Sequence, residues 1–285
     1  MKLILSRKGF DSSSGGCPNP LFPDGRALAL PIPDENSIVR YRDLVWQDLP
    51  LGTLVQQLTK GRVRSGHGAH LDPDLDAGMY PRDSDWCPVF GQHGSAEGHL
   101  QKQGVGPGDL FLFFGVFRPV ERVKRRWHFV PGTRAIHRIW GWFQVADVYP
   151  VETLDQTSFP WLNYHPHLQG GCRGRNTMYL ASKTLDIPGV LGPSGSVPGS
   201  GIWRQVSEDR CLTHPALTNV TEWRLPRWFY PGGRTPLSYH HNLSRWRRDD
   251  EHCYLKSVAR GQEFVLDTRQ YPEASGWLAG LFSQN

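Results

Sequence analysis

The stretch VGPGDLFLFFGVF, residues 105–117, limits the fold more than any other part of the chain. Its Gly and Pro residues make a turn, and an unbroken apolar run follows. An apolar run of this length, bounded by turn residues, is a strand of a buried sheet. It is far shorter than the roughly 18 apolar residues of a membrane span, and no other run reaches that length, so no membrane partner is expected. A second strand candidate, HRIWGWFQVADVYPV at 137–151, is kinked at Gly141. The basic stretch VERVKRRWHFVPGT connects the two.

Around this pair, KLIL (2–5), NTMYLA (176–181), TEWRL (221–225), YLKSV (254–258) and EFVLD (263–267) read as short strands. Residues 27–33 read as an extended edge, because Pro31 and Pro33 cannot donate to a ladder. Helices are expected at 51–58, 95–103 and 277–282, and 62–94 reads as loop. The 31 glycines and 23 prolines support a β-rich body with many turns. The expected fold is therefore α+β: one domain over 1–285, with a β-rich, mostly antiparallel core, surrounding helices and a Gly/Pro/Ser-rich surface loop at 186–202.

The charged fraction of 21% and hydrophobic fraction of 38% exclude a disordered chain, and the net charge of +5 permits a nucleic-acid partner without requiring one. The five cysteines form no CxxC pair and are odd in number, against both a zinc ribbon and a disulfide framework. MKLIL is too short for the apolar region of a secretory signal, so a reduced, cytoplasmic protein is expected.

Three stretches, and a few scattered histidines, carry candidate chemistry. SRKGFDSSSGG (6–16) supplies cations, hydroxyls and glycines, a set suited to phosphate or a nucleotide. Its candidates are Arg7, Lys8, Asp11, Ser12, Gly15 and Gly16; a plain surface turn is the alternative. HGAHLDPDLD (67–76) offers His70, Asp72 and Asp74 as divalent-metal ligands, or else a polar loop with local turns. Further histidines stand at 165, 167, 240 and 241, with nothing local to fix their proximity. ARGQEFVLD (259–267) places Glu263 at the mouth of a strand beside Arg260 and Gln262, a position suited to a catalytic carboxylate, with His240 as partner. Its alternative is an edge residue paired with a nearby arginine.

RGQEFV is similar to the strand that carries the catalytic glutamate in DNA-modifying ADP-ribosyltransferase toxins. LFLFFGVFRP resembles the strand in those enzymes that ends in an NAD-contacting arginine, here Arg118. That resemblance implies transfer chemistry with NAD as cofactor. The strands GVGPGDLFLFFG and HRIWGWFQVADV also resemble PUA-like barrels. This implies a non-catalytic reader of modified bases with Trp140 and Trp142 as stacking surfaces; the alternative is that both are core. A third reading is a metal-dependent enzyme acting on nucleic acid.

Taken together, SRKGFDSSSGG, NPLFPDGRALALPIPD, HLDPDL, FGQHGSAEGHL, GDLFLFFG, IWGWFQV, LSYHH and RGQEFVLD resemble the bacterial and phage family called nucleotide modification associated domain 3. The likeness spans essentially the whole chain and adds Gln92 and His99 to the motif residues. It implies a nucleotide or nucleic acid as partner and no settled reaction. The leading expectation is an enzyme that modifies nucleotides or bases, with Arg7 and Glu263 on opposite walls of one cleft.

Overall fold

The computed structural model describes residues 1–172, 174–190, 195–259 and 261–283. Arg260 and part of the expected 186–202 loop lie outside them. The apolar run at 110–114 belongs to a long strand whose side chains alternate between two buried layers. Leu110, Leu112 and Phe114 join one core cluster, and Phe111 and Phe113 the other. The neighbouring strand divides in the same way, with Leu3 and Leu5 on one side and Ile4 on the other. A strand buried on both faces needs no polar alternation, which is why the sequence shows a continuous apolar run.

Among the described residues the main sheet has nine strands. They are β1 (Lys2–Arg7), β2 (Asn19–Leu21), β3 (Val89–His93), β4 (Leu110–Val123), β5 (Arg126–Phe129), β6 (Ile136–Pro150), β7 (Asn176–Ala181), β8 (Ser200–Ile202) and, after a separate small sheet, β12 (Glu263–Asp267). The order along the sheet is β12-β1-β4-β6-β7-β3, with β2 and β5 also on β4 and β8 also on β6. β1 and β2 run parallel to β4 and the other pairings are antiparallel. The small sheet pairs β11 (His252–Lys256) with β9 (Glu222–Pro226) and β10 (Trp246–Arg248). Helices α1 (Leu51–Leu58), α2 (Gly94–Lys102) and α3 (Ala274–Ser283) complete an α+β fold.

β6 carries two register shifts, at Ile139/Gly141 and Val145/Asp147. Such irregularities bend a strand and raise its twist. The sheet coils so far that its two end strands meet: Gln92 on β3 hydrogen-bonds Glu263 on β12. That seam holds the candidate site.

The expected helices and most strands fall within a few residues of their places. The basic stretch after β4 is a hairpin rather than a plain connection, turning at Lys124 and Arg125 with φ of 47° and 67°. Of 27–33, only Ile32–Pro33 forms a strand, paired with Ala69–His70. The supposed loop 62–94 contains β3.

The N-terminal segment is tied to this frame by one side chain. Fully buried Asn19 accepts hydrogen bonds from the Phe10 and Leu30 backbone N–H groups through Oδ1, and donates through Nδ2 to the Phe10 and Val116 carbonyls. Asn19→Ala leaves several buried backbone groups unpaired, at about 1–3 kcal/mol each. The expected loss is therefore at least about 3 kcal/mol, read as a lower urea midpoint at unchanged slope.

Candidate functional site

The antiparallel register of β1 and β12 sets Ser6 opposite Glu263. Glu263 is 1% exposed. Its Oε1 accepts from Ser6 Oγ at 3.0 Å and from Gln92 Nε2 at 2.5 Å, and lies 3.2 Å from Lys8 Nζ. Its Oε2 is buried and has no hydrogen-bond partner among the described residues. Buried polar atoms without partners are rare, and each asks for an explanation. Lys8 also sits over the Phe90 ring at 4.6 Å, so its ammonium is held by one carboxylate and one aromatic face.

Beyond Lys8 the chain makes a tight loop. Asp11 Oδ1 accepts from the Ser13 and Ser14 N–H groups and the Ser13 hydroxyl, which turns the backbone without help from another segment. Arg7, Asp11, Ser12, Gln262 and Glu263 line one side of a surface cleft, and Tyr239 and the first turn of α2 line the other. A continuation of the cleft runs along Lys8, Gln92 and His93 to His70, Asp72 and His167. Arg7 and Glu263 thus share the cleft.

At its far end, Asp72 Oδ1 accepts from the Gly91 N–H at 2.6 Å and lies 3.4 Å from His165 Nε2. Asp72 Oδ2 faces His70 Nε2 and His167 Nε2, each at 3.9 Å. Burial alone would lift the Asp72 carboxyl. The His165 ring 3.4 Å away, the neighbouring His167 and the nearby Lys8 charge outweigh it and hold the group well below the usual carboxylate range. Burial pushes His167 down to about 3, so this ring is neutral at neutral pH. His93 is lowered by burial, with His70 and Lys8 adding to the effect.

Several candidates lie elsewhere. Asp74 is fully buried, but it pairs with Arg82 at 2.6 Å and accepts from Tyr164, away from the His70 group. Gly15 and Gly16 do not line the cleft. Their φ values are 82° and 73°, and a Cβ would strike the Phe10 ring at 2.4 Å or the Arg62 guanidinium at 2.6 Å. They serve the turn, not a ligand.

Arg118 donates to the Val130 carbonyl at 2.9 Å and stacks on Phe129, so it closes the hairpin rather than reaching the cleft. Trp140 stacks on Phe113, and Trp142 packs on Trp203 and donates to the Pro198 carbonyl. Both indoles are core, which removes the stacking surfaces of the reader hypothesis.

His240 is fully buried and fully used. Nδ1 bonds the Ser238 carbonyl at 2.8 Å, and Nε2 accepts the Val258 N–H at 3.1 Å. It braces the backbone behind β12, while its neighbour Tyr239 faces the cleft against His99, with ring centroids 4.4 Å apart.

Sequence reasoning missed the parts of the site whose placement depends on long-range pairing. Ser6 heads the SRKGFDSSSGG stretch without being one of its candidates, and only the pairing of β1 with β12 sets it against Glu263. His165 and His167 were visible as HPH, but only the pairing of β7 with β3 brings them to Asp72.

The model of the family described as nucleotide modification associated domain 3 matches residues 2–267 of the 285, and the chain belongs to that family. No curated protein and no solved structure matches it.

Proposed function

We propose that the cleft between β12, the 8–14 loop and α2 is the active site of an enzyme that modifies a nucleotide or a base in nucleic acid. The observation that carries this reading is Glu263. One of its oxygens is held by Ser6, Gln92 and Lys8, and the other is buried and unpartnered beside the cleft. A carboxylate fixed in this way has one oxygen left for a substrate proton or for charge that develops at a ribosyl or base centre. The phosphate of the substrate would lie at Arg7 and the Ser12 hydroxyl. The first turn of α2 adds the positive end of a helix to the same cleft. Transfer chemistry remains the reaction class that suits this set. The NAD cofactor loses one support, because Arg118 serves the hairpin.

Glu263→Gln keeps the shape and an oxygen for Ser6, Gln92 and Lys8, but it lacks the basic Oε2. Its turnover of a nucleotide or DNA substrate should fall by about 10²–10⁴-fold, with the substrate Kd nearly unchanged. Arg7→Ala should instead weaken binding by about tenfold or more and reduce its salt dependence. Full turnover and unaltered Kd in both variants would remove the site.

A further inference from the structure

Three atoms at the end of the cleft face one another in a way that ordinary hydrogen bonding does not explain. Asp34 Oδ2 lies 2.8 Å from His70 Nδ1. The carboxylate is an acceptor, so Nδ1 is the donor, and Nε2 is the ring nitrogen left to offer a lone pair to a ligand. A second, separate network fixes His167. Asn176 Nδ2 donates to the His167 carbonyl at 2.8 Å, which orients the amide and turns Oδ1 toward His167 Nδ1 at 2.6 Å. Nδ1 must then be the donor, and Nε2 again carries the lone pair.

Both Nε2 atoms lie 3.9 Å from Asp72 Oδ2, beyond hydrogen-bond length. Asp72 Oδ1 is occupied by the Gly91 N–H, with His165 Nε2 beside it. Oδ2 is thereby left for the histidine side. Three groups able to donate an electron pair thus lie within 4.8 Å of one another, a spacing at which one cation can join them.

We propose that His70 Nε2, His167 Nε2 and the Asp72 carboxylate form a binding site for one divalent first-row transition-metal ion, open toward the Glu263 cleft.

The ligand set is two imidazoles and one carboxylate, which suits zinc or ferrous iron rather than magnesium or calcium. Distances of 3.9 Å between ligand atoms are within the span of two bonds of about 2.0–2.2 Å. The outer partners, Asp34 and Asn176, do what such partners do at metal centres: they fix tautomer and ring orientation. Asp34 and Asp72 together supply the two negative charges that a divalent ion needs. Three protein ligands leave a position free, as at catalytic rather than structural centres. That position faces the part of the cleft lined by Lys8, Gln92 and His93. The use of the metal in a reaction rests on the function proposed above; its binding does not.

The test uses the full chain, stripped of metal and titrated with Co²⁺ and Zn²⁺ without any substrate. Saturable binding at one ion per chain is expected, undisturbed by a hundredfold excess of Mg²⁺. X-ray absorption of the Co²⁺ form should show two imidazole nitrogens at about 2.0–2.1 Å. His70→Gln and His167→Gln should each weaken Co²⁺ binding by at least a hundredfold. Asp34→Asn, which alters no ligand, should weaken it by about 10–100-fold. The absorption measurement on unaltered protein stands even if a variant misfolds. Absence of one-to-one binding, a Co²⁺ shell with fewer than two imidazoles, or unchanged affinity in a folded His70→Gln/His167→Gln double variant would each overturn the site. Because no substrate is present, failure of the proposed enzyme activity leaves this result unaffected, and the reverse also holds.

Discussion

Lys8→Met should cost the fold about 3–5 kcal/mol, the largest single loss expected from any residue of the cleft. The reason is the charge it leaves behind. Glu263 is 1% exposed and the Lys8 side chain 11% exposed, so the carboxylate has little water to replace the ammonium. With the ammonium gone, Oε1 keeps only Ser6 and Gln92, and Oε2 has no hydrogen-bond partner among the described residues to compensate the buried charge. Glu263→Gln in the Lys8→Met background removes that charge and should restore most of the loss. The double-mutant cycle read by urea denaturation should therefore give a coupling of at least about 2 kcal/mol. Additive single effects, or a Lys8→Met loss under about 1 kcal/mol, would mean that the pair is solvated.

The same pair explains why some of the chain was legible and some was not. An apolar side chain pair would serve stability better at positions 8 and 263 than a buried ion pair does. Sequence patterning finds elements whose residues obey burial rules, and β1, β4, β6 and β12 obey them along their apolar stretches. It misses elements that break those rules to line a site. β3 is the clearest case. Its sequence VFGQH reads as loop because Gly91 and Gln92 are poor strand residues, yet both are buried. Gly91 is bare because a Cβ there would meet the His167 ring at 2.4 Å, and its N–H is committed to Asp72. Gln92 is polar because it must reach Glu263 across the seam.

The walls of the cleft were readable for the opposite reason. Arg7, Lys8 and Glu263 sit at the mouths of apolar strands, where a local reading of sequence is enough to mark them. Partners of β strands more than 100 residues apart are set by sheet order, which no local pattern encodes. The indoles of Trp140 and Trp142 were ambiguous for that reason too: core and stacking surface look alike until the sheet that covers them is known.

Acid should destabilise this protein before most of its carboxylates titrate. Two buried histidines outside the proposed metal group are already committed as neutral acceptors. His137 Nδ1 accepts the Trp223 indole N–H at 2.9 Å, and burial, with a contribution from the Arg7 charge, pushes the ring down to about 3. His240 Nε2 accepts the Val258 N–H, and burial pushes it down to about 4. In the unfolded chain each returns to about 6.5. The folded values are the lower ones, so as pH falls below about 6.5 the unfolded state binds protons first and stability is lost. The loss continues until the folded values are reached. At pH 5 it amounts to about 2 kcal/mol per histidine, or about 4 kcal/mol for the two, relative to pH 8. Burial lifts Asp74 and Glu97, which works in the opposite direction once the pH approaches their folded values.

A total of about 4 kcal/mol is a large part of the 5–15 kcal/mol that holds an ordinary domain together. The urea midpoint should accordingly drop steeply between pH 6.5 and pH 5. His137→Asn retains an oxygen acceptor for Trp223 but has no proton to gain. It should lose stability at pH 8 and show a slope between pH 6.5 and pH 5 that is shallower by about 2 kcal/mol. If that variant and the unaltered protein lose stability in parallel, His137 does not stay neutral in the fold, and the acid sensitivity has another origin.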